Sequence, residues 1–318
     1  MNVYVAHAAI VSRTSVACLA SRSSAQNAAL QCHGRGSMRI AFASGKGGTG
    51  KTTISTNVAR MLSRRFAVQF LDCDVEEPNA HLFLRPHIDV SEPVGVPVPI
   101  VDESKCTRCG KCSELCQFHA IVTLADTTLV FPELCHGCGG CARICPAGAI
   151  SEEQRLIGVL ERGTSRGIDF AHGKLNVGEA MSPPLIRAVI GCIASAPIVI
   201  IDSPPGTSCP VVASVKPADA VVLVAEPTPF GLHDLKLAVE LIQGLSIPCG
   251  VVINRADIGD DRVDRYCAEQ GMPIWGRVPH DRRIAEACSR GELIVNTIPE
   301  AERLIEPICQ TLLERCGL

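Results

Sequence analysis

At 318 residues, 47% hydrophobic and 20% charged, the chain holds ample material for a buried core, which excludes a wholly disordered polypeptide. A net charge of −3 excludes the global basic field that nucleic-acid binding relies on, and 8 Phe, 2 Tyr and 1 Trp leave little for a base-stacking platform. The purely apolar runs, 220–225 among the longest, fall far short of the ~18 residues that span a bilayer. Residues 1–37 hold no Asp or Glu, three Arg (Arg13, Arg22, Arg35) and many Ala and Ser. That composition reads as an organellar transit segment or as a start assigned too early, because Met38 opens a strand that leads into the first motif. The segment is set aside from fold reasoning.

From Met38 the pattern predicts a short buried strand over 39–43, a helix over 52–64 and a second strand over 67–71. The same grammar resumes at 197–201, 220–224 and 250–253, runs that are β-branched and continuously apolar rather than alternating. Strands buried on both faces of a parallel sheet have this character. Helical patterns at 231–245 and 261–270 lie between and after them, so a doubly wound, mostly parallel α/β domain is expected. A different kind of sequence, cysteine-dense and with little helical periodicity, occupies 98–152, its start marked by Pro93, Pro97 and Pro99. The expected organisation is an α/β domain made of 38–97 and 153–318, with a small α+β domain at 98–152 inserted into it.

Eighteen cysteines are the anomaly of the composition. Cys106, Cys109, Cys112 and Cys116 follow C-x2-C-x2-C-x3-C, and Cys135, Cys138, Cys141 and Cys145 repeat it 29 positions later. Three thiolates in so short a stretch can wrap three corners of a cubane, while the fourth ligand comes from elsewhere. Structural zinc sites usually pair C-x2-4-C elements across a longer gap. Disulfides need an oxidising compartment, whereas the nucleotide motif below argues for the cytoplasm. The spacing therefore predicts two 4Fe-4S clusters. His119 and His136 read as loop residues because all eight thiolate places are filled, and most of the ten other cysteines read as small buried apolar residues. The pattern closely resembles that of bacterial ferredoxins with two such clusters. The resemblance implies that Cys106, Cys109 and Cys112 take Cys145, and that Cys135, Cys138 and Cys141 take Cys116. Pro146 follows Cys145 as that family expects, whereas Gln117 replaces the first motif's proline, which leaves the ligands intact and that backbone turn open.

Gly45-Lys46-Gly47-Gly48-Thr49-Gly50-Lys51-Thr52 matches a P-loop that follows a strand and opens a helix. Its glycines let backbone N–H groups point at phosphate oxygens, and the helix N-terminus adds a favourable dipole. Lys51 is expected to reach the β- and γ-phosphates of ATP, the Thr52 hydroxyl to ligate Mg2+ and Thr53 to touch the α-phosphate.

Lys46, at the second position of the loop, resembles the extra lysine of the MinD/ParA superfamily, which reaches across a dimer to the partner's nucleotide. Over about 38–318 the chain is similar to MinD-superfamily ATPases with an inserted ferredoxin domain, often labelled after cobyrinic acid a,c-diamide synthase, whose nucleotide-binding domain they share. The resemblance implies that Asp74 orients or activates the attacking water while Asp72 supports the magnesium shell. In Asp202-Ser203-Pro204-Pro205-Gly206-Thr207, it implies that Asp202 binds Mg2+ through water and that the Gly206 N–H senses the γ-phosphate. Asn254 matches the position that reads adenine. No second domain with a glutamine-hydrolysing Cys/His set fits the length, so amidation is not expected.

These readings point to a Mg2+-dependent ATPase that gates electron transfer to a redox partner protein, as a nucleotide-dependent homodimer in the cytoplasm. An iron–sulfur assembly scaffold or carrier is the competing class, although no C-x-x-C occurs outside 106–145. A redox-sensing positioning ATPase is the third. The C-terminal helix, about 299–316, carries four Glu against two Arg, so direct membrane binding is not expected.

Overall fold

The computed structural model describes residues 37–316, so all but the last residue of the extension expected at 1–37 lies outside the described residues. In chain order the elements begin with β1 (Met38–Ala43), α1 (Lys51–Leu62), β2 (Val68–Asp72), α2 (Ala80–Leu84) and β3 (His87–Val101). A lobe of short elements follows: α3 (Lys111–Leu115), β4 (Ile121–Thr123), β5 (Thr128–Val130) and α4 (Gly140–Ile144). Then come β6 (Ile150–Ser165), β7 (Ile168–Leu175), α5 (Pro183–Ile190), β8 (Ile198–Asp202), α6 (Cys209–Val215), β9 (Ala220–Ala225) and α7 (Pro229–Gly244). The chain finishes with β10 (Cys249–Asn254), α8 (Arg262–Glu269), β11 (Ile274–Val278), α9 (Arg282–Ser289), α10 (Ile294–Thr297) and α11 (Ala301–Cys316).

Nine strands form one sheet in the order β11-β10-β9-β1-β8-β2-β7-β6-β3. Every pairing from β11 to β7 is parallel, as the continuous apolar runs predict. Alternate residues of each strand face opposite helical layers. Ile40, Phe42, Phe70 and Ile200 join the cluster that includes Ile54 and Val58 of α1 and Ile305 and Ile308 of α11. Ala41, Leu71, Val199 and Ile201 join the cluster that includes Leu185 of α5 and Leu235 and Val239 of α7. Both faces are therefore covered, which is the condition under which parallel sheets are found.

The last two strands depart from the sequence expectation. β6 pairs antiparallel to β7, and β3 antiparallel to β6, so the two make a long ribbon at one sheet edge. The boundaries read at 97/98 and 152/153 fall inside these strands. Pro93, Pro97 and Pro99 lie within β3, an edge strand, where a missing N–H need not break a ladder bond.

The lobe beyond the ribbon carries the repeat in its backbone as well as in its cysteines. Helices α3 and α4 are displaced by the same 29 positions as the ligand motifs. Left-handed residues recur at that offset: Arg108 (φ 56°) with Gly137 (64°), Gly110 (76°) with Gly139 (68°), and His119 (52°) with Gly148 (56°). Cys116 and Cys145 end their helices with nearly the same angles, φ −73°, ψ 106° and φ −68°, ψ 111°. Proline confines the residue before it to this extended region. Cys116 adopts the same conformation with Gln117 after it.

Candidate functional site

The carboxyl ends of β1, β2 and β8 converge with the start of α1 around an open cleft of about 450 Å³. Gly47, Gly48, Thr49, Gly50, Lys51, Thr52, Thr53, Asp74 and Asn254 line it. A Cβ on Gly47 or Gly48 would meet nothing within 4 Å, so the loop borders free space. Gly50 caps α1 at φ 86°, and a Cβ there would lie 2.3 Å from Nδ2 of Asn254. That close approach lets the Asn254 amide donate to the Thr49 carbonyl at 2.7 Å and tie the end of β10 to the loop. The Thr49 hydroxyl is buried without a hydrogen-bond partner, an unspent polar group in a loop whose amides can take phosphate.

Behind the loop lies a compact electrostatic knot. Lys51, 6% exposed, sets Nζ 2.9 Å from Oδ1 of the fully buried Asp202. The Thr52 hydroxyl donates to Asp202 Oδ2 at 2.6 Å and the Ser55 hydroxyl to Oδ1 at 3.1 Å. Thr52 and Asp202 thus form a hard-oxygen pair suited to Mg2+. Asp72 stands in register with Asp202 on the neighbouring strand. Its carboxylate accepts from the backbone N–H groups of Asp74 (3.1 Å), Asn79 (3.1 Å) and Ala80 (3.0 Å), which fixes the loop between β2 and α2. Burial, and then the nearby Asp202 carboxylate, push the Asp72 pKa up to about 7. Burial also raises Asp74 to about 6, with Lys51 opposing the rise.

Lys46 and Gly206, two residues read as nucleotide contacts, do not line the cleft. Nζ of Lys46 lies 3.1 Å from the buried Glu226, which also holds Arg255 at 2.5 Å. The Gly206 N–H donates to the Ser44 carbonyl at 2.9 Å. Gly45 is packed where a Cβ would fall 2.2 Å from the Asp234 carbonyl oxygen. Glu226, Arg255 and Ser55 escaped the sequence reading. The one signal for Glu226 was its place directly after the apolar run 220–225, where strand ends in such folds face the site.

In the lobe, no disulfide joins any of the eight motif cysteines. Cys106, Cys109, Cys112 and Cys145 line one small cavity beside the ribbon tip at Val101 and Ile150. Cys116, Cys135, Cys138 and Cys141 line a second, of about 210 Å³, which Cys112 also borders. Each cavity therefore gathers three cysteines of one motif with the last of the other. Among the described residues no three Cys, His, Asp or Glu converge closely enough to hold a single metal ion. Wider four-sulfur hollows suit the donor chemistry of a polynuclear iron–sulfur cluster. Phe118 stacks on His136 at 3.5 Å between centroids. Among the described residues no helix is long and apolar enough to cross a membrane.

The family model of the CobQ/CobB/MinD/ParA nucleotide binding domain matches residues 40–294. An uncharacterized protein of Methanocaldococcus jannaschii is 35% identical over 283 residues, covering 87% of this chain and 97% of that protein. An iron-sulfur cluster carrier protein of Pyrococcus abyssi is 24% identical over 288 residues, covering 84% of this chain and 83% of its own. The septum site-determining protein MinD of Pyrococcus horikoshii, solved with Mg-ADP, shares the fold at a TM-score of 0.55 and 17% identity, across 87% of this chain and 96% of that one. With the P-loop cleft at the head of a mostly parallel sheet, and the model matching most of its length, the chain belongs to the CobQ/CobB/MinD/ParA family of P-loop nucleotide-binding domains.

Proposed function

We propose that this protein is a Mg2+-dependent ATPase whose nucleotide switch governs an inserted ferredoxin-like lobe with two 4Fe-4S clusters, gating electron transfer to a redox partner protein. The observation that carries the coupling is the continuity of the sheet. Strands β3 and β6, which bear the lobe, are strands of the same sheet as the nucleotide cleft, and neighbouring β7 bonds the switch loop directly, Leu175 N–H to the Val75 carbonyl at 2.9 Å.

In this reading Lys51 exchanges Asp202 for the β- and γ-phosphates, and Thr52 and Asp202 hold Mg2+ with Asp72 behind them. Asp74 orients the attacking water, and the Gly206 N–H turns from Ser44 to the γ-phosphate. Thr53 touches the α-phosphate and Asn254 reads the adenine. Lys46 exchanges Glu226 for the nucleotide of a second copy in an ATP-dependent dimer. Bound to Cys106, Cys109, Cys112 and Cys145, and to Cys116, Cys135, Cys138 and Cys141, the clusters supply one-electron storage.

The similarity to a protein named as an iron-sulfur cluster carrier favours a second reading, in which the clusters are cargo. Anaerobically purified protein separates the two. Gating predicts that reduction potential, EPR line shape or reactivity with a reductant differs between ATP, ADP and no nucleotide, and indifference in all three overturns it. Transfer of iron and sulfide to an apo-acceptor selects the carrier reading. An iron content below about four atoms per chain overturns both readings, since two such clusters hold about eight.

A further inference from the structure

The two cysteine sites are related by the repeat, yet their surroundings break it. Backbone donors serve both alike: Ala149 N–H reaches Cys145 Sγ at 3.3 Å and Lys111 N–H reaches Cys109 at the first site. Gly137 N–H reaches Cys135 Sγ at 3.4 Å and Ala142 N–H reaches Cys141 at the second. Side chains make the difference. Thr128 Oγ1 lies 3.6 Å from Cys106 Sγ and Thr123 Oγ1 lies 3.7 Å from Cys112 Sγ, both presented by the β4–β5 hairpin, where the two threonines face each other. Arg108 and Lys111 also line this site. At the repeat offset of 29, the counterpart of Thr123 is Glu152, an exposed residue that lines the second site with Leu115, Phe118 and Ile121. Arg155, a cation beside Cys135, is ion-paired to Glu179.

Resting on the proposal that these cysteines hold clusters, we infer that Thr123 and Thr128 are tuning residues. They donate to the sulfurs of Cys112 and Cys106 and make Cys106, Cys109, Cys112 and Cys145 the site of higher reduction potential. A ligating sulfur is a thiolate and only accepts, so the hydroxyls must donate. Thr128 has one proton to share between Cys106 and the Thr123 oxygen 3.5 Å away, and the charged sulfur is the stronger acceptor. An added electron makes that sulfur more negative and strengthens each such bond, which favours the reduced form and raises the potential. At the second site Glu152 stands where the first has the Thr123 hydroxyl, so a hydroxyl donor gives way to an acidic side chain, which disfavours the added electron. One electron delivered to the lobe by a one-electron donor therefore passes from the second site, which is oxidised again, to the first, which stays reduced.

The test is an EPR-monitored redox titration of anaerobically purified full-length protein and of Thr123→Val, Thr128→Val, Thr123→Ser and Glu152→Gln. Two one-electron waves are expected. Thr123→Val and Thr128→Val each lower the upper wave by about 59 mV, a tenfold change in the reduced-to-oxidised ratio, and leave the lower one in place. Thr123→Ser keeps its hydroxyl and restores the upper wave, and Glu152→Gln raises the lower. A single coincident wave in the unmodified protein overturns the inference, as does a valine variant with full iron content whose upper wave does not move. Iron content below about four atoms per chain in the unmodified protein overturns the cluster sites themselves, a result distinct from either.

Discussion

Lys51→Ala removes the cation that sits among three carboxylates, and its cost should depend on pH in a definite direction. Lys51 is buried with its Nζ 2.9 Å from Asp202, which is fully buried, and it opposes the raised pKa values of Asp72 and Asp74. Removing one partner of a buried ion pair costs about 3–5 kcal/mol, because the other charge is left without compensation. The folded pKa values of Asp72 and Asp74, about 7 and about 6, lie above the unfolded value of 3.8. The folded chain therefore binds more protons than the unfolded chain across that window, and the contribution of these groups to stability falls as pH rises through it. Without Lys51 both values climb further and the window extends upward. The loss is expected to be largest near about pH 8, where the unmodified protein holds Asp72 and Asp74 largely as carboxylates beside Lys51, and smaller near about pH 5.5, where both already carry protons and gain less from the cation. Urea unfolding followed by the fluorescence of Trp275, the chain's single tryptophan, reports it, since the indole is 4% exposed with Arg315 stacked 4.7 Å above it. A loss equal at both pH values, or larger at the acid one, refutes the reasoning.

Two further outcomes follow from the same site. Asp74→Asn is expected to keep ATP binding and abolish hydrolysis; in the unmodified protein the rate should fall on the acid side with an apparent pKa near 6, because protonation removes the carboxylate charge that orients and polarises the attacking water. A pH–rate profile with no acid limb between about pH 5 and 7 removes Asp74 from that role. Gly50→Ala forces a Cβ to within 2.3 Å of the Asn254 amide at a φ of 86°, so the Asn254–Thr49 bond must break. Nucleotide affinity, read by titration with a fluorescent ATP analogue, is expected to fall at least about tenfold, equivalent to about 1.4 kcal/mol.

The parallel core was legible because β1, β2, β8, β9 and β10 are short apolar runs buried on both faces, a pattern with few other solutions. β3 was not, although its signal is present: Ile88, Val90, Val94, Val96 and Val98 alternate with the period of a strand. Three prolines masked it, since proline argues against a strand unless that strand is known to be an edge, and edge position is a tertiary fact. In the same way the repeat of cysteines announced itself by spacing, but the left-handed turns that accompany it did not. The second motif marks them with Gly137 and Gly148, whereas the first uses Arg108 and His119, which carry no such signal. At the nucleotide site the P-loop residues were readable because the loop is local. The partners of its lysines are not local, since Asp202 ends β8 and Glu226 directly follows β9, both far along the chain. Asp72 shows how a motif understates a residue: beyond any part in the magnesium shell, it spends its carboxylate on three backbone amides and so builds the loop between β2 and α2.

That loop leads into α2, which spans the gap between the nucleotide knot and the ribbon. At its first residue the Ala80 N–H donates to Asp72, and at its last the Leu84 carbonyl accepts from the hydroxyl of Ser165, the terminal residue of β6. In the first turn of α2, His81 meets the ring of His172 edge-on at 5.3 Å, and His172 bonds Glu161 of β6 at 2.8 Å. Asp202, Asp72, His172 and Glu161 occupy successive in-register positions on β8, β2, β7 and β6, and so project from one face of the sheet. Packed interiors do not deform continuously, so a loop that moves with the γ-phosphate cannot shift α2 without repacking His81 on His172 or breaking the Ser165 bond. A lobe tied in this manner differs physically from one hung on a linker. Its ribbon shares hydrogen bonds with the sheet along one edge and with α2 at its base, so in the proposed reading nucleotide state and lobe position enter a single packing equilibrium. Reciprocity then requires that whatever occupies the cysteine sites bias the affinity for nucleotide by the same factor with which nucleotide biases them.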